Sequence, residues 1–548
     1  MRWSGKLGRR DPWTWGLLIA IGIAVAIGCS ASGDASPIVP PGVGGSSAAG
    51  AAGQSEGGGA GVEDASDEAQ GGEGGEAGQG EGGYAGSGGG SIDGGSGAAG
   101  AGGWDNCQPL PAPDAGTPPP TDVIVGSAPA NAPTLFGGNV DPSRAPTIVY
   151  PPDGVLMPPN IATLDVQFLP GSGNDLFEVQ LSSSTVNTRF YTPCNAVASG
   201  CSLKLEGTNF SSMAVKAAGM EPMMLRIRGV SKASPASIGE SVSSTVGIAE
   251  MPMLGGIYYW NTSGTGEVVR YDFGYPTAKG EHYYTAYQGG SMCVGCHSLS
   301  QAGNIMAVGL GIPSPSVLRI INVANKVTAF TLSGGQGSNF QAFSPDETEI
   351  ITSGGVNMVL RSATTGAALN PNPLVKKGTM PDYHPDNTSV VFAKPEGMVF
   401  VASPGISNAS IMLLPRNGAS WGPEQTMVKA ANDSENNYYP AFSPDGGWII
   451  FNRSAQHDSY LAPDSMVMVV AGKGGNAIAM SRANVSDQVG NSWPKWAPFK
   501  QCNRGKRLLW FTFSSARDYG VRIINSTIVP EPDAGDKRKW QIWMAAFD

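Results

Sequence analysis

The sequence predicts an all-β fold in which a β-sandwich is followed by a β-propeller, a closed ring of repeated β-sheets. From residue 145 onward, short runs of alternating apolar and polar residues are broken by turns, which is typical of strands. In the second half of the chain one turn motif recurs, and each copy precedes a β-run. The chain contains one long apolar run, at 16–27, so the sequence excludes a membrane protein with several spans.

The apolar run near the N-terminus predicts an export signal. It follows a start that carries four Lys and Arg residues, and it ends at the small residues before Cys29. The tetrapeptide 26–29, Ala-Ile-Gly-Cys, resembles the lipobox of bacterial lipoproteins. The resemblance implies a signal peptide at 1–28, a lipidated Cys29 and a membrane-anchored protein of the cell envelope, either periplasmic or at the outer membrane and cell surface. An uncleaved anchor with a chance cysteine is the alternative.

Glycine and acidic residues are concentrated in a tail. Of the 78 glycines, 27 lie in residues 41–103, and residues 30–103 carry ten Asp and Glu but no Lys or Arg. Residues 29–103 are therefore predicted to be a disordered Gly/Ser/Ala linker, and residues 104–144 a Pro-rich connector. Residues 104–548 hold 30 bases and 33 acids. The net charge of this part of the chain is close to neutral, and its sequence shows no stripe of basic residues. We therefore expect no nucleic-acid partner.

Residues 145–250 are predicted to form the β-sandwich. The segments that alternate as strands do are 147–150, 164–168, 176–181 and 224–228. The opening of this region, PTIVYPPDG, resembles fibronectin-type and other immunoglobulin-like modules of bacterial surface proteins. The resemblance implies a spacer module without a site of its own.

Residues 251–548 are predicted to form the propeller. Copies of an aromatic-(Ser/His)-Pro-Asp turn begin at Phe343, Tyr383 and Phe442, and a degenerate copy begins at Trp496. These copies resemble the TolB-type, WD40-like (PD40) repeat, in which a Ser-Pro-Asp-Gly turn joins two inner strands of a blade. Because a single blade cannot bury its faces alone, a closed ring is expected, with five or six blades and six favoured.

One motif carries chemistry. Cys293-Val-Gly-Cys296-His297 matches C-x-x-C-H, the attachment signature of c-type haem. Two thiols three residues apart can both reach the haem vinyl groups, and the next imidazole can then face the iron. The motif therefore predicts a covalent haem c held by Cys293 and Cys296, with His297 as the proximal iron ligand. A redox-active dithiol, a structural zinc site and coincidence are the alternatives.

An alignment of the turns predicts the surroundings of the motif. The residues four positions before each turn Ser, or its equivalent, are Cys296, Phe340, Met380, Tyr439 and Trp493. Equivalent positions of successive blades form a ring, so Cys296 and His297 should adjoin large apolar side chains. The same geometry makes Met380 a candidate distal iron ligand, with ordinary packing as its alternative. His282 is a second distal candidate because it is close to the motif in sequence. A five-coordinate iron, without a distal protein ligand, is a further alternative.

The other cysteines fit an oxidising compartment. Cys194 and Cys201 bracket a short polar loop and could form a local disulfide. Once Cys29 and the motif are set aside, Cys107 and Cys502 are left. By elimination they are predicted to pair, which would staple the connector to the propeller.

These features favour an exported, membrane-tethered mono-haem propeller protein that transfers electrons or senses a redox or gas ligand in the cell envelope. The lipid anchor makes the membrane one partner, and a redox protein or another envelope protein is the expected second. The alternative is a TolB-like scaffold without haem that binds envelope proteins or glycans. An enzyme, with a haem-assisted oxidoreductase as its nearest form, is the weakest candidate. The chain has four His, and its folded part shows no nucleophile–base pair.

Overall fold

The computed structural model describes residues 16–25, 107–108, 110–111, 116–262, 264–274, 280–290, 292–311, 317–333, 338–353, 357–369, 376–400, 404–432, 434–457, 461–485, 489–526 and 538–548. Cys29 and the predicted linker at 29–103 lie outside these residues. Within the described stretches, no helix is long and apolar enough to cross a membrane.

The N-terminal module is a two-sheet β-sandwich. One sheet contains, in spatial order, Thr147–Tyr150, Thr163–Leu169, Gly200–Glu206 and Ala196–Val197. The other contains, in spatial order, Thr121–Ile124, Asn187–Pro193, Leu176–Ser182, Met223–Ser231, Ser234–Glu240 and Asn139–Val140. In the same sheet, Ser244–Ile248 pairs with Met223–Ser231, and Val155–Met157 pairs with Ser244–Ile248. Two 3₁₀ helices lie at Ala132–Leu135 and Pro142–Arg144. The two sheets meet where the buried rings of Phe168 and Phe177 contact each other, with centroids 4.9 Å apart.

Two features of this module differ from the sequence expectation. The segment expected as a connector already supplies the strands Thr121–Ile124 and Asn139–Val140, and each pairs in parallel with a sandwich strand. Val123 packs against the sandwich core, and this apolar contact stabilises the added strand. A helix, Gly207–Ala217, also forms where strands alone were expected. Its buried residues repeat at helical spacing and cover one face: Phe210, Met213, Ala214 and Ala217.

Six antiparallel sheets follow one another in the described residues from 256 to 547. The first contains Gly256–Asn261, Glu267–Asp272 and Glu281–Tyr284, and the second Val294–Leu299, Ile305–Leu310, Val317–Asn322 and Thr328–Leu332. The third contains Phe340–Phe343, Glu349–Ser353, Asn357–Ser362 and Lys376–Lys377, and the fourth Thr379–Tyr383, Ser389–Phe400, Pro404–Asn417, Ser420–Trp421 and Gln425–Val428. The fifth contains Asn436–Phe442, Trp448–Ser454, Met466–Ala471 and Ile478–Ala479, and the sixth Asn491–Trp496, Gln501–Asn503, Lys506–Ser515 and Trp540–Phe547.

The strand Gly16–Val25 pairs antiparallel with Trp540–Phe547 and forms the outer edge of the sixth sheet. The sequence predicts that the same run is an export signal. If so, this strand is present only in the chain before cleavage. Cleavage before Cys29 would remove it and leave Trp540–Phe547 as the edge of the sheet.

Apolar clusters join each of the six sheets to the next and the sixth to the first. Successive clusters contain Tyr284 with Met306, Ile320 with Ile350, Ile351 with Val390, Ile411 with Phe451, and Ile450 with Phe511. The last cluster brings Trp510 of the sixth sheet together with Tyr259 and Val269 of the first, alongside the sandwich core. Each sheet therefore buries apolar side chains against its neighbours. The all-β class, a sandwich followed by a propeller, is confirmed, and the number of blades stays a prediction.

The repeated turn closes the first hairpin of its sheet through side-chain hydrogen bonds. In the fifth sheet, the Ser443 hydroxyl donates to Asp445 at 2.5 Å and accepts the backbone N–H of Trp448 at 2.9 Å. Ser344 makes the equivalent two contacts in the third sheet, at 2.6 and 3.0 Å. The motif recurs because it satisfies backbone groups at the same point of each sheet.

The sandwich and the propeller belong to one compact unit. Asp165 of the sandwich is buried and accepts hydrogen bonds from the Arg522 guanidinium at 2.7 Å and from the Tyr519 hydroxyl at 3.2 Å. The Gln167 side chain accepts the Val521 backbone N–H at 2.8 Å. A loop of the sixth sheet therefore docks on the sandwich through a buried polar network.

Cys107–Cys502 and Cys194–Cys201 are disulfides, with Cα atoms 5.5 and 5.1 Å apart. They are the two pairs that the sequence analysis proposes. The first bond fixes the connector to the strand Gln501–Asn503 of the sixth sheet. This bond therefore holds together two segments that are 395 positions apart in the chain.

Candidate functional site

The C-x-x-C-H motif lies in the first strand of the second propeller sheet, Val294–Leu299, and Cys293 immediately precedes that strand. Val294 and His297 pair with residues only two positions apart on the neighbouring strand. The extra residue between them forms a β-bulge within the C-x-x-C segment, and bulges re-aim the side chains beside them.

Hydrogen bonds to flanking segments hold the motif in place. The Val294 N–H donates to the Thr265 carbonyl at 2.9 Å, and the Trp260 indole N–H donates to the Val294 carbonyl at 2.8 Å. On the other side, the Gly311 N–H donates to the Cys293 carbonyl at 2.9 Å. The first cysteine of the motif is therefore fixed at a junction between two sheets.

His297 is held as a neutral imidazole. Its Nε2 lies 3.3 Å from the Tyr258 carbonyl oxygen, so this nitrogen carries the proton and donates. Burial lowers the pKa of His297 to about 4, although the Tyr258 carbonyl favours the charged ring. Nδ1 then has the lone pair that binds a metal, and a half-turn of the ring would exchange the two nitrogens. Metal-ligating histidines commonly donate their other ring N–H to a carbonyl in this way.

The two motif cysteines differ in their state. Cys293 is buried and takes part in a disulfide, whereas Cys296 is a free thiol. Burial raises the pKa of Cys296 to about 12, so its thiolate is scarcely populated at neutral pH. The two sulfurs are not bonded to each other, so the motif does not have the oxidised form of a C-x-x-C dithiol.

The motif offers donors that fit a haem, with one condition. His297 is neutral, which is the form that ligates iron, and Cys296 has the free thiol that a thioether bond needs. Cys293 must be reduced before it can form the second thioether bond. Among the described residues, no group of three or more His, Cys, Asp or Glu side chains could hold a metal ion.

Four of the five aligned residues meet at the centre of the ring. The Phe340 ring lies 5.6 Å from that of Tyr439 and 6.0 Å from that of Trp493, and Tyr439 stacks on Trp493 at 4.6 Å. Met380 belongs to the same apolar cluster. Met380, Tyr439 and Trp493 have positive φ angles of 55, 46 and 55°, each beside a register shift of its strand. These four residues form a central plug, and the bulge at Cys296 is the equivalent feature of the second sheet.

The two candidate distal ligands have local partners of their own. Met380 Sδ accepts the Tyr439 backbone N–H at 3.3 Å, inside the central plug. His282 lies on the third strand of the first sheet, and its side chain is 73% exposed and bonded to Glu267 at 2.6 Å. That strand is two strand spacings, about 10 Å, from the strand of Tyr258. Neither candidate is held toward His297 by a described contact, and both stay predictions as iron ligands.

Tyr258 and Trp260 are the site residues that sequence analysis did not single out. Both lie on Gly256–Asn261, the first strand of the first sheet, and both bond to the motif. Tyr258 acts through its backbone carbonyl, which any residue supplies, so no sequence signal marks it. The aromatic run that contains both residues indicates only a strand of a blade.

No known family model and no curated protein matches the chain. Among solved structures, the chain is similar to TolB from Acinetobacter baumannii, with 10% identity over 60% of this chain and 77% of that chain and a TM-score of 0.32. It is also similar to Kuenenia stuttgartiensis hydrazine synthase, with 11% identity, coverage of 61% and 78%, and a TM-score of 0.24. A chain of the mitotic checkpoint complex gives 10% identity, coverage of 47% and 67%, and a TM-score of 0.28. At these scores the likenesses carry no inference about function.

Proposed function

We propose that this protein is an exported, membrane-tethered β-propeller that carries a covalent haem at its C-x-x-C-H motif and transfers electrons in the cell envelope. One observation carries the proposal: the His297 imidazole is half-buried and neutral, and a backbone carbonyl orients its ring. It directly follows a cysteine with a free thiol. This combination of donors is the one that haem attachment requires.

Each residue of the site has a distinct role in this proposal. Cys293 and Cys296 would hold the haem through thioether bonds, and His297 would ligate the iron. The Tyr258 carbonyl orients the imidazole, and Trp260 fixes the backbone within the motif. When bound, a haem supplies one-electron transfer at its iron. The protein adds an apolar wall beside the motif, formed by Val294, Met306, Val308 and Leu310.

The tether in this proposal rests on the N-terminal sequence. A lipidated Cys29 would be followed by a flexible linker at 30–103, whose r.m.s. span is roughly 45–50 Å. The disulfides Cys107–Cys502 and Cys194–Cys201 are in keeping with an oxidising compartment.

An absorption spectrum tests the haem. The protein is produced together with a cytochrome c maturation system, and we expect a Soret band that stays with the protein after acid-acetone extraction. Cys293→Ser and Cys296→Ser variants should each weaken this covalent attachment, and the double variant should abolish it. A Cys194→Ser/Cys201→Ser variant, which removes two cysteines outside the motif, should keep the band. Wild-type protein without a Soret band, or with fully extractable haem, would overturn the proposal.

A scaffold without haem is the second candidate, and one observation favours it. Cys293 is already disulfide-bonded, and the His297 Nε2 is already engaged by a carbonyl, so the motif has structural contacts of its own. In that case the propeller would bind envelope proteins or glycans without a cofactor. The Cys293→Ser/Cys296→Ser variant would then retain the binding that the wild type shows in a glycan array or an envelope-extract pull-down.

A further inference from the structure

In the tethered chain proposed above, the linker joins the folded body at one pole. We call it the entry pole and define it as residues 107–108, 110–111, 250–254 and 500–507. The disulfide Cys107–Cys502 lies at its centre. The Asn503 side chain accepts the Glu250 backbone N–H at 3.2 Å, and Met251 Sδ accepts the Cys502 N–H at 3.4 Å. The three segments therefore form one continuous surface.

The entry pole exposes three large apolar side chains. Leu110, Met251 and Leu254 are 38, 40 and 62% exposed. Leu110 lies beside Glu250, because a Cβ placed on Gly219 would meet both side chains. Large apolar side chains grouped at one place on a surface mark an interaction site.

A basic hairpin lies next to these apolar side chains. Residues 500–507, KQCNRGKR, hold four bases and no acid, and the three bases after Cys502 are exposed. The two residues of the tight turn have φ angles of 53 and 77°. Glu250 accepts the Arg504 backbone N–H at 3.0 Å, and Asp548 lies 3.5 Å from the Lys506 ammonium. These acids offset part of the basic charge, so the apolar side chains must contribute to any binding at this pole.

We infer that the entry pole is a lipid-facing surface that rests on the bilayer in which the tether is anchored. The basic hairpin would lie at anionic phospholipid headgroups, with Leu110, Met251 and Leu254 inserted between them. Such a mixture of exposed apolar and basic side chains is what binds at a membrane interface. The inference rests on the proposed tether, which ends at this pole, and not on the haem.

The acidic linker is the alternative anionic partner for the hairpin. It carries ten acids at 30–103, and it would attract the bases. A Gly-rich, acidic segment does not account for the three exposed apolar side chains, whereas a bilayer accounts for both features. The observations therefore favour the lipid surface.

Vesicle co-sedimentation tests this surface with the lipid anchor removed. The protein is the full mature chain with Cys29→Ser, and the vesicles contain phosphatidylethanolamine and phosphatidylglycerol, or phosphatidylcholine alone. We expect binding to the anionic vesicles and an apparent affinity at least about tenfold lower for Leu254→Ser/Arg504→Glu. The matched control is Val327→Ser/Lys473→Glu, which removes a 60% exposed apolar side chain and an exposed base at two other turns. It should bind as the wild type does.

Two results would overturn the lipid-facing surface. One is equal binding by the two double variants, each shown by circular dichroism to be folded. The other is wild-type binding that appears only after the ten acids of the linker are changed to their amides, because the linker and not lipid would then cover the hairpin. The Soret band is measured on the same samples, so a failure of the haem proposal and a failure of vesicle binding are seen separately.

Discussion

The ring of His297 sits where its charged form is disfavoured, and this has a consequence for stability. Its pKa is about 4 in the folded chain against an ordinary value of 6.5, so between these values the unfolded chain binds more protons than the folded chain. This contribution to stability is complete above pH 6.5 and is lost as the pH falls through 4. It amounts to at most about 3 kcal/mol.

Denaturant titrations of the haem-free protein at several pH values measure this effect. The free energy of unfolding should fall less between pH 7 and 4 in His297→Gln than in the wild type. Ser420→Ala, which replaces an exposed side chain that does not titrate in this range, is the control and should keep the wild-type slope. Parallel curves for His297→Gln and the wild type would contradict a lowered pKa of His297.

At this residue scale, the sequence predicts the chemistry of the site but not its electrostatics. Five adjacent residues, 293–297, are enough to indicate thiols and an imidazole for haem. The partner of the imidazole is the Tyr258 carbonyl, 39 positions away. That contact depends on the packing of the first sheet against the second, and no local pattern contains it.

The Ser-Pro-Asp turn is the repeated element, and its hydroxyl makes a testable contribution. Ser443→Ala removes the acceptor of the Trp448 N–H and the donor to Asp445, and the serine is fully buried. We expect a loss of about 1–3 kcal/mol in the free energy of unfolding, because these groups are left without partners. Ser420→Ala, at an exposed serine, should change stability by no more than about 0.5 kcal/mol. Equal effects in the two variants, measured by denaturant titration, would contradict this role of the turn.

Elements whose pattern is local could be predicted from the sequence. The turn copies are adjacent residues, and counting four positions back from them finds the residues of the central plug. The positive φ angles of Tyr439 and Trp493 could not be predicted, since aromatic residues rarely adopt them and packing at the ring centre imposes them here. The helix Gly207–Ala217 was missed although its apolar spacing is helical, because the surrounding strands dominate the pattern of that region.

On the scale of the whole molecule, the loop contact between sandwich and propeller predicts joint unfolding. Arg522→Ala would leave Asp165 buried without the guanidinium that pairs with it. We expect a loss of about 2–3 kcal/mol and a separate, earlier unfolding step of the sandwich in calorimetry. Lys204→Ala breaks an ion pair whose two side chains are more than half exposed, so the single transition should be kept. A single, unshifted transition in Arg522→Ala would contradict the coupling.

The two modules could be predicted from sequence, but their attachment could not. Asp165 and Arg522 are separated by 357 positions, and neither belongs to a motif. The pairing of Cys107 with Cys502 was accessible by elimination, because few cysteines remained once the motif had been assigned. The number of cysteines was thus enough to predict the disulfide, whereas no pattern of polar residues predicts the ion pair between Asp165 and Arg522.

The central claim is that haem is covalently bound at the C-x-x-C-H motif, and peptide mass mapping tests it most directly. The protein is matured in an envelope that attaches c-type haem and is then digested without reduction. A covalent haem predicts that the peptide containing residues 293–297 carries the mass of one haem, with both cysteines modified. A peptide in which Cys293 and Cys296 are free thiols or disulfide-bonded would contradict the claim and leave the haem-free scaffold.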